Sequence, residues 1–284
     1  MTIFFLNIYK EKGMTSFDVI FKLRKILKIK KIGHSGTLDP LATGVMQVGV
    51  GNAAKLLDYL DGNKKYIAEI KFGYTSDTLD DEGEKTFVKE PNFTKDELIN
   101  ALSCFLGKSL QIPPKYSAIK INGKKLCDLA RQGKELPEIK PREIEVYDIK
   151  LMNFNGKDSA SFEIHCSKGT YIRSIVRDLG QKLSCGAYMS SLIRTQAGNF
   201  KIENSAKIND EIIKNAINPL DVLNLNKIEL TKEQYKRVIH GNSIEYKIEK
   251  ENEKSFMLTY NNNLVSIANL SDNVLKMQKV FETE

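Results

Sequence analysis

The chain has 284 residues, 41% hydrophobic and 28% charged, with a net charge of +7. That length accommodates one large domain plus a small one, and the composition excludes a disordered or fibrous chain. No run approaches a membrane span, MTIFFLNIYKEK lacks the pattern of a secretory signal, and the four cysteines form no CxxC pair, so reduced thiols in a cytoplasmic protein are expected.

In chain order, IFFLNIY reads as a strand. Thr15 and Ser16 offer N-cap hydroxyls to a helix whose Val19, Ile20, Leu23, Ile26 and Leu27 recur at helical spacing. The outer face of that helix carries the cluster KLRKILKIKK, residues 22–31. A glycine-rich stretch follows, then VMQVGV as a strand and NAAKLLDYL as a short helix. YIAEIKF alternates, with Tyr66, Ala68, Ile70 and Phe72 on one face of a strand. TKDELINALSCFLG reads as a capped helix ending at Gly107. SFEIHCS is a second alternating strand in which His165 is structural, and YIRSIVRDLGQKL is a helix. Strands and helices mix without the repeat of a doubly wound sheet, which makes the fold class α+β. INPLDVLNLN, residues 217–226, reads as a linker. Beyond it IEYKI, SFMLTY, LVSIANL and LKMQKVF suggest a small all-β barrel or sandwich. Domain limits of 1–224 and 225–284 follow.

The charge is unevenly placed. The stretch from Asn226 to the end holds nine basic and nine acidic residues, so the excess lies wholly before it. Pro113–Arg142 holds eight Lys/Arg against three acids. This segment and the 22–31 cluster point towards a polyanion, most plausibly nucleic acid, although a basic patch is often only a solvated face.

Between these patches, from Ile32 to Ala54, Asp39 is the single formally charged residue, and five of the eighteen glycines lie there. Asp followed by Pro is a favoured cap and first-turn pair, so LDPLATG reads first as a capped turn, and otherwise as a reactive carboxylate kept clear of competitors. VGVGNAAK matches a dinucleotide fingerprint, but Glu69 falls inside a strand and no second βαβ half follows. No GxxxxGK[ST] occurs. Taken alone, Tyr66 is a core aromatic and Arg173 a capping or surface arginine.

Several stretches together resemble the bacterial tRNA pseudouridine-55 synthases. GHSGTLDPLATGV resembles their signature, NIYKEKGMTSFDVI their first motif, and KKYIAEIKFGYTSDTLDDEG the segment that follows the signature. QIPPKYSAIKINGKKLCDLAR is similar to their RNA-gripping insertion, spanning about 113–142, and CSKGTYIRSIVRDLG to their late catalytic motif. The resemblance implies a mixed central sheet with flanking helices and a small C-terminal PUA-like domain. It implies isomerisation of a uridine in the tRNA T loop to pseudouridine, with no cofactor and no metal. Asp39 is then the catalytic carboxylate, whether it attacks the sugar, attacks the ring or removes a sugar proton. Arg173 pairs with it, Tyr66 stacks on the target base and moves a proton, and Leu192 walls the uracil pocket. His34 fills the space that the flipped base vacates, and Lys168, Tyr171, Gly36 and Thr37 join the substrate-binding set. The partner is tRNA through its T arm, met by a monomer that requires no protein partner and no membrane. Asp80 lies in a matching stretch without an assigned role. Glu11 stands where the family usually has proline, and Cys127 where it usually has tyrosine. A tRNA-folding or RNA-binding protein on the same scaffold, or a synthase acting on another RNA, are the alternatives.

Overall fold

The computed structural model describes residues 2–117, 119–121, 123–132, 137–246 and 255–281. Residues 118, 122 and 133–136 of the expected insertion, and 247–248 of the IEYKI segment, lie outside the described residues.

The first strand, β1 (Ile3–Lys10), leads into α1 (Ser16–Leu27). Thr15 and Asp18 cap this helix reciprocally: the Asp18 amide donates to Thr15 Oγ1 at 3.1 Å, and the Thr15 amide to Asp18 Oδ2 at 2.8 Å. Val19, Ile20 and Leu23 face the core as their spacing predicts. Then come β2 (Ile32–His34), β3 (Thr43–Gly51), β4 (Lys64–Phe72), and a hairpin of β5 (Tyr74–Ser76) and β6 (Lys85–Phe87). Next are α2 (Lys95–Ser103) and β7 (Gly107–Gln111), then a short hairpin of β8 (Lys120–Ile121) and β9 (Lys124–Lys125), and α3 (Leu126–Arg131). The domain closes with β10 (Arg142–Phe154), β11 (Ser159–Cys166), α4 (Ile172–Lys182), β12 (Ala187–Ala197), β13 (Phe200–Lys201) and α5 (Pro219–Val222).

The main sheet runs β1-β3-β12-β4-β11-β10-β7, with β2 beside β3 and β13 beside β12. Its pairings are antiparallel except β12 with β3, where Ile193 lies opposite Thr43 and Arg194 opposite Gly44. That crossing needs a glycine: Gly44 has φ +103, and a Cβ there would come within 2.2 Å of the Arg194 carbonyl oxygen. Leu98, Leu102, Ile175, Val176 and Leu179 of α2 and α4 join the core of β4, β11 and β12, while α1 packs with Leu6, Ile8, Met46 and Val48.

The tail contributes β14 (Asn226–Glu229), α6 (Lys232–Val238), β15 (Ile244–Glu245), β16 (Ser255–Tyr260), β17 (Asn263–Ser271) and β18 (Val274–Val280), in a sheet ordered β14-β16-β17-β18-β15. It is not purely β, because the Thr231–Gln234 capping box starts α6.

Three local expectations change. NAAKLLDYL forms two 3₁₀ turns, Asn52–Lys55 and Leu57–Tyr59, each closed by a short-range hydrogen bond. The helix after Thr94 stops at Ser103, and Gly107, with φ +86, opens a strand instead of capping the helix. Residues 217–226 are no free linker. Ile217 exchanges two 2.9 Å backbone hydrogen bonds with Phe5, Asn218 caps α5, and Leu223 is buried. Around that segment a single apolar cluster joins Phe5, Leu56, Leu60 and Phe200 of the main domain to Met257, Leu264, Ile267 and Phe281 of the tail.

Phe281 is fully buried in this shared cluster. Phe281→Ala should therefore cost about 3–5 kcal/mol of global stability, read as one cooperative shift in a denaturant melt of the whole chain. Loss of tail structure alone, with the main transition unmoved, would show that the two sheets fold independently.

Candidate active site

Asp39 sits in the loop between β2 and β3, where the Ala42 amide closes a turn on the Asp39 carbonyl at 3.0 Å. Residues of the first motif hold this loop from behind. Ser16 Oγ accepts from the Leu38 amide at 2.8 Å and donates back to the Leu38 carbonyl at 3.2 Å. The Gly13 amide donates to the Pro40 carbonyl at 2.8 Å. Lys10, wholly buried, directs Nζ to the carbonyls of Met14 (2.6 Å), Glu11 (3.1 Å) and Pro40 (3.3 Å). The Asp39 carboxylate is thus aimed by its flanking backbone and is free of cap duty.

Its partner is Arg173. Nε meets Asp39 Oδ2 at 3.0 Å and Nη2 donates to Oδ1 at 3.1 Å, a two-point pairing that fixes both planes. Early placement in α4 puts Arg173 on the helix's buried side, and only 6% of its side chain is exposed, against 32% for Asp39. The rest of the guanidinium is also engaged. Nη1 donates to the Thr78 carbonyl at 2.9 Å and lies 3.5 Å from Asp80 Oδ2, and Nη2 donates to the Tyr116 carbonyl at 2.8 Å. Asp80 is itself buried and accepts from Thr78 Oγ1 (2.5 Å) and the Glu82 amide (3.1 Å). Burial lifts the Asp39 carboxyl above the usual aspartate range; the Arg173 charge opposes the rise, Asp80 adds to it, and Lys10 pulls it down.

Tyr66 is buried on β4, cross-strand from Arg194 on β12. Burial raises its phenol, and the Arg194 charge and hydrogen bond oppose that rise. Arg194 is only 2% exposed; Nε donates to the Val45 carbonyl at 2.6 Å and Nη2 to the Gly36 carbonyl at 3.3 Å. Leu192 lies two residues before Arg194, buried in the same cluster as Tyr66. His34 ends β2, and its Nδ1 accepts from the Gly36 amide at 3.3 Å. Burial and then the Arg194 charge lower its imidazole, so His34 is neutral at pH 7. Tyr171 caps α4, its amide donating to Gln111 Oε1 at 2.8 Å while Gln111 Nε2 donates to the Tyr171 carbonyl at 3.1 Å.

The structure thus gathers Asp39, Arg173, Tyr66, Leu192, His34, Gly36 and Tyr171 around one region. Thr37 is exposed on the loop, and Lys168, also exposed, packs its stem against Gly62. Asp80, Arg194, Lys10 and Lys64 belong to the site although sequence reasoning gave them no role. The two-residue period of β12 carried a signal for Arg194, which shares a face with Leu192. Buried Lys64 donates to the Gly62 carbonyl at 2.8 Å. His165 packs its ring against Tyr147 at 4.9 Å, in keeping with a structural role. Among the described residues, no group of three or more His, Cys, Asp or Glu side chains is arranged to hold a metal ion, and no helix is long and apolar enough to cross a membrane.

The sequence profile of the TruB family pseudouridylate synthase N-terminal domain matches residues 24–172, and that of the tRNA pseudouridylate synthase B C-terminal domain matches 173–223. The chain belongs to the TruB family. It is 41% identical to tRNA pseudouridine synthase B of Clostridium acetobutylicum over 97% of this chain and 98% of the relative. It is 40% identical to that of Syntrophomonas wolfei over 98% of each. Among solved structures, a Cbf5-Nop10-Gar1 complex superposes with a TM-score of 0.73 at 24% identity, covering 98% of this chain and 85% of that one. An H/ACA RNP bound to a substrate RNA containing 2′-deoxyuridine gives 0.72 at 22%, over 99% and 85%. These two report the fold: a synthase sheet with flanking helices and a C-terminal β domain. By its family match and these relatives of 40–41% identity, the protein is a pseudouridine synthase.

Burial lowers the Lys10 and Lys64 ammonium groups to about 8 from the ordinary 10.5. Between those values the unfolded chain binds more protons than the folded one, so stability should rise as pH climbs from about 8 towards 10.5. Lys10→Met removes one such group, and chemical denaturation across that window should show a flatter rise than wild type. An unchanged slope would mean that Lys10 keeps its ordinary affinity for the proton.

Proposed function

We propose that this synthase converts a uridine in the T loop of tRNA, position 55, to pseudouridine, with Asp39 as the catalytic carboxylate. The observation that carries the reading is the two-point Asp39–Arg173 pair: an acid oriented by a buried cation at a half-open position, in a loop free of other charges. The names of the relatives supply tRNA as substrate.

The target uridine leaves its stack to reach a carboxylate set in this loop. Cleavage of N1–C1′ develops positive charge on the sugar, which the Asp39 carboxylate stabilises or traps. The freed uracil turns between Tyr66 and the apolar wall of Leu192, and C5 joins C1′. C5 then loses its proton and N1 gains one, so the reaction is neutral in protons and electrons. Tyr66, with its hydroxyl against the Arg194 guanidinium, is placed to relay that proton. Neutral His34 offers a flat ring to the gap in the RNA stack. The basic 113–142 segment contacts phosphates, and its residue Tyr116 reaches the catalytic arginine directly. The tail from about residue 225, a PUA-like domain in this reading, rests against the acceptor side of a tRNA bound by a monomer in the cytoplasm. A role in folding tRNA uses the same binding surface and needs no intact acid.

Purified protein incubated with an unmodified T-arm stem-loop and no additive should form pseudouridine, mapped by carbodiimide treatment and reverse transcription. Asp39→Asn should abolish product while leaving RNA affinity within a few-fold; turnover at the wild-type rate would remove Asp39 from the chemistry. Arg173→Lys should lower kcat about a hundredfold, because an ammonium cannot reproduce the planar two-point pairing.

A further inference from the structure

The basic cluster of α1 has no place in the site just described, yet its surface is unusual. Phe17 and Phe21, one turn apart, are 63% and 60% exposed. Arg24 continues their row, with its Cζ 6.0 Å from the centre of the Phe17 ring and Nη2 donating to the Ile32 carbonyl at 3.2 Å. Exposed Lys22, Lys25, Lys28 and Lys30 flank them. The acid on this surface, Asp18, is occupied in the Thr15 capping box. Inward, Val19, Ile20 and Leu23 are committed to the core, so the helix cannot turn its aromatic rings inside. Two phenylalanines in water among five cations call for an occupant that is both flat and anionic.

The position of the row matters as much as its composition. Ser16, the residue before Phe17, is bonded twice to Leu38, the residue before Asp39. The aromatic row therefore starts beside the loop that holds the reacting nucleotide and leads away from it.

We infer that the outward face of α1 is a stacking platform for unpaired RNA bases next to the target uridine, with Phe17 and Phe21 under the bases and Lys22, Lys25 and Lys28 on the phosphates. This rests on the reading of the Asp39 loop as the site that receives a flipped nucleotide. Sequence-tolerant stacking on aromatic rings set in a cationic groove is a general mode of single-strand binding. A second copy of the chain fits less well, since a self-complementary contact here would bring like charges together.

The test uses fluorescence anisotropy with a labelled T-arm stem-loop, together with kcat at saturating RNA. Phe17→Ala/Phe21→Ala should weaken RNA binding about tenfold, leave kcat unchanged, and leave the slope of log Kd against log salt unchanged. Phe17→Trp should restore or tighten binding. Lys22→Ala/Lys25→Ala should instead make that slope shallower by about 1.5. An RNA with abasic sites at the loop nucleotides flanking the target should bind wild type and the double phenylalanine variant alike. Equal Kd for wild type and that variant on intact RNA, with wild type turning over normally, overturns the platform and spares the functional reading. The platform is equally overturned if sedimentation shows a wild-type dimer that the phenylalanine changes dissociate at unchanged RNA affinity. Failure of wild type to form product overturns the functional reading instead, and the binding comparison still decides the platform.

Discussion

A carboxylate half removed from water keeps its charge only if a cation stands beside it, and the Asp39–Arg173 pair is the constraint on which the site turns. Burial favours the neutral acid; the guanidinium, in two-point contact, opposes this and fixes the direction of both oxygens. Arg173 in turn is costly to bury, so the fold surrounds it with acceptors from separate parts of the chain: Thr78 and Asp80 after β5, Tyr116 in the basic insertion, and Asp39 itself. Whatever moves one of these segments moves the acid. Because Tyr116 lies in the segment proposed to grip RNA, that proposed grip and the orientation of Arg173 share a physical connection.

The remaining buried cations follow a different rule. Lys10, Lys64 and Arg194 are buried, and among the described residues none of the three stands in an ion pair; their partners are backbone carbonyls, joined for Arg194 by the Tyr66 hydroxyl. The carbonyls of Glu11, Met14, Gly36, Pro40 and Gly62 lie in loops and that of Val45 in β3, so these side chains tie neighbouring backbone segments together. The resulting positive charge beside the Asp39 loop suits a substrate that brings its own phosphates. The same burial brings Lys10 and Lys64 to about 8, within reach of ordinary pH.

Among the described residues the tail is joined to the main domain by an apolar seam, with no ion pair across it. Phe281, Met257 and Leu264 pack with Phe5, Leu56 and Phe200, and the 217–226 segment is hydrogen-bonded into β1. Equal numbers of acids and bases from Asn226 onward agree with a unit fixed by burial.

Much of this architecture was legible in the sequence wherever one short-range pattern decided the outcome. The Thr15 N-cap, the alternation of β4 and β11, the apolar face of α4 and the isolation of Asp39 among uncharged residues are all local, and each appears where its spacing put it. The family motifs likewise named Asp39, Arg173 and Tyr66. Other features depended on distant partners. Gly107 opens a strand because β10 is there to pair with it, and residues 217–226 are held because Phe5 offers a free backbone edge. Arg194 drew no reading from the sequence, and it is the placement of β12 between β3 and β4 that sets it against Val45, Gly36 and Tyr66. Sequence determines which groups the chain carries and how each local segment coils; only the tertiary structure decides which of those charges share a low-dielectric space, because the desolvation and Coulomb energies that set their behaviour depend on distances that no local pattern encodes.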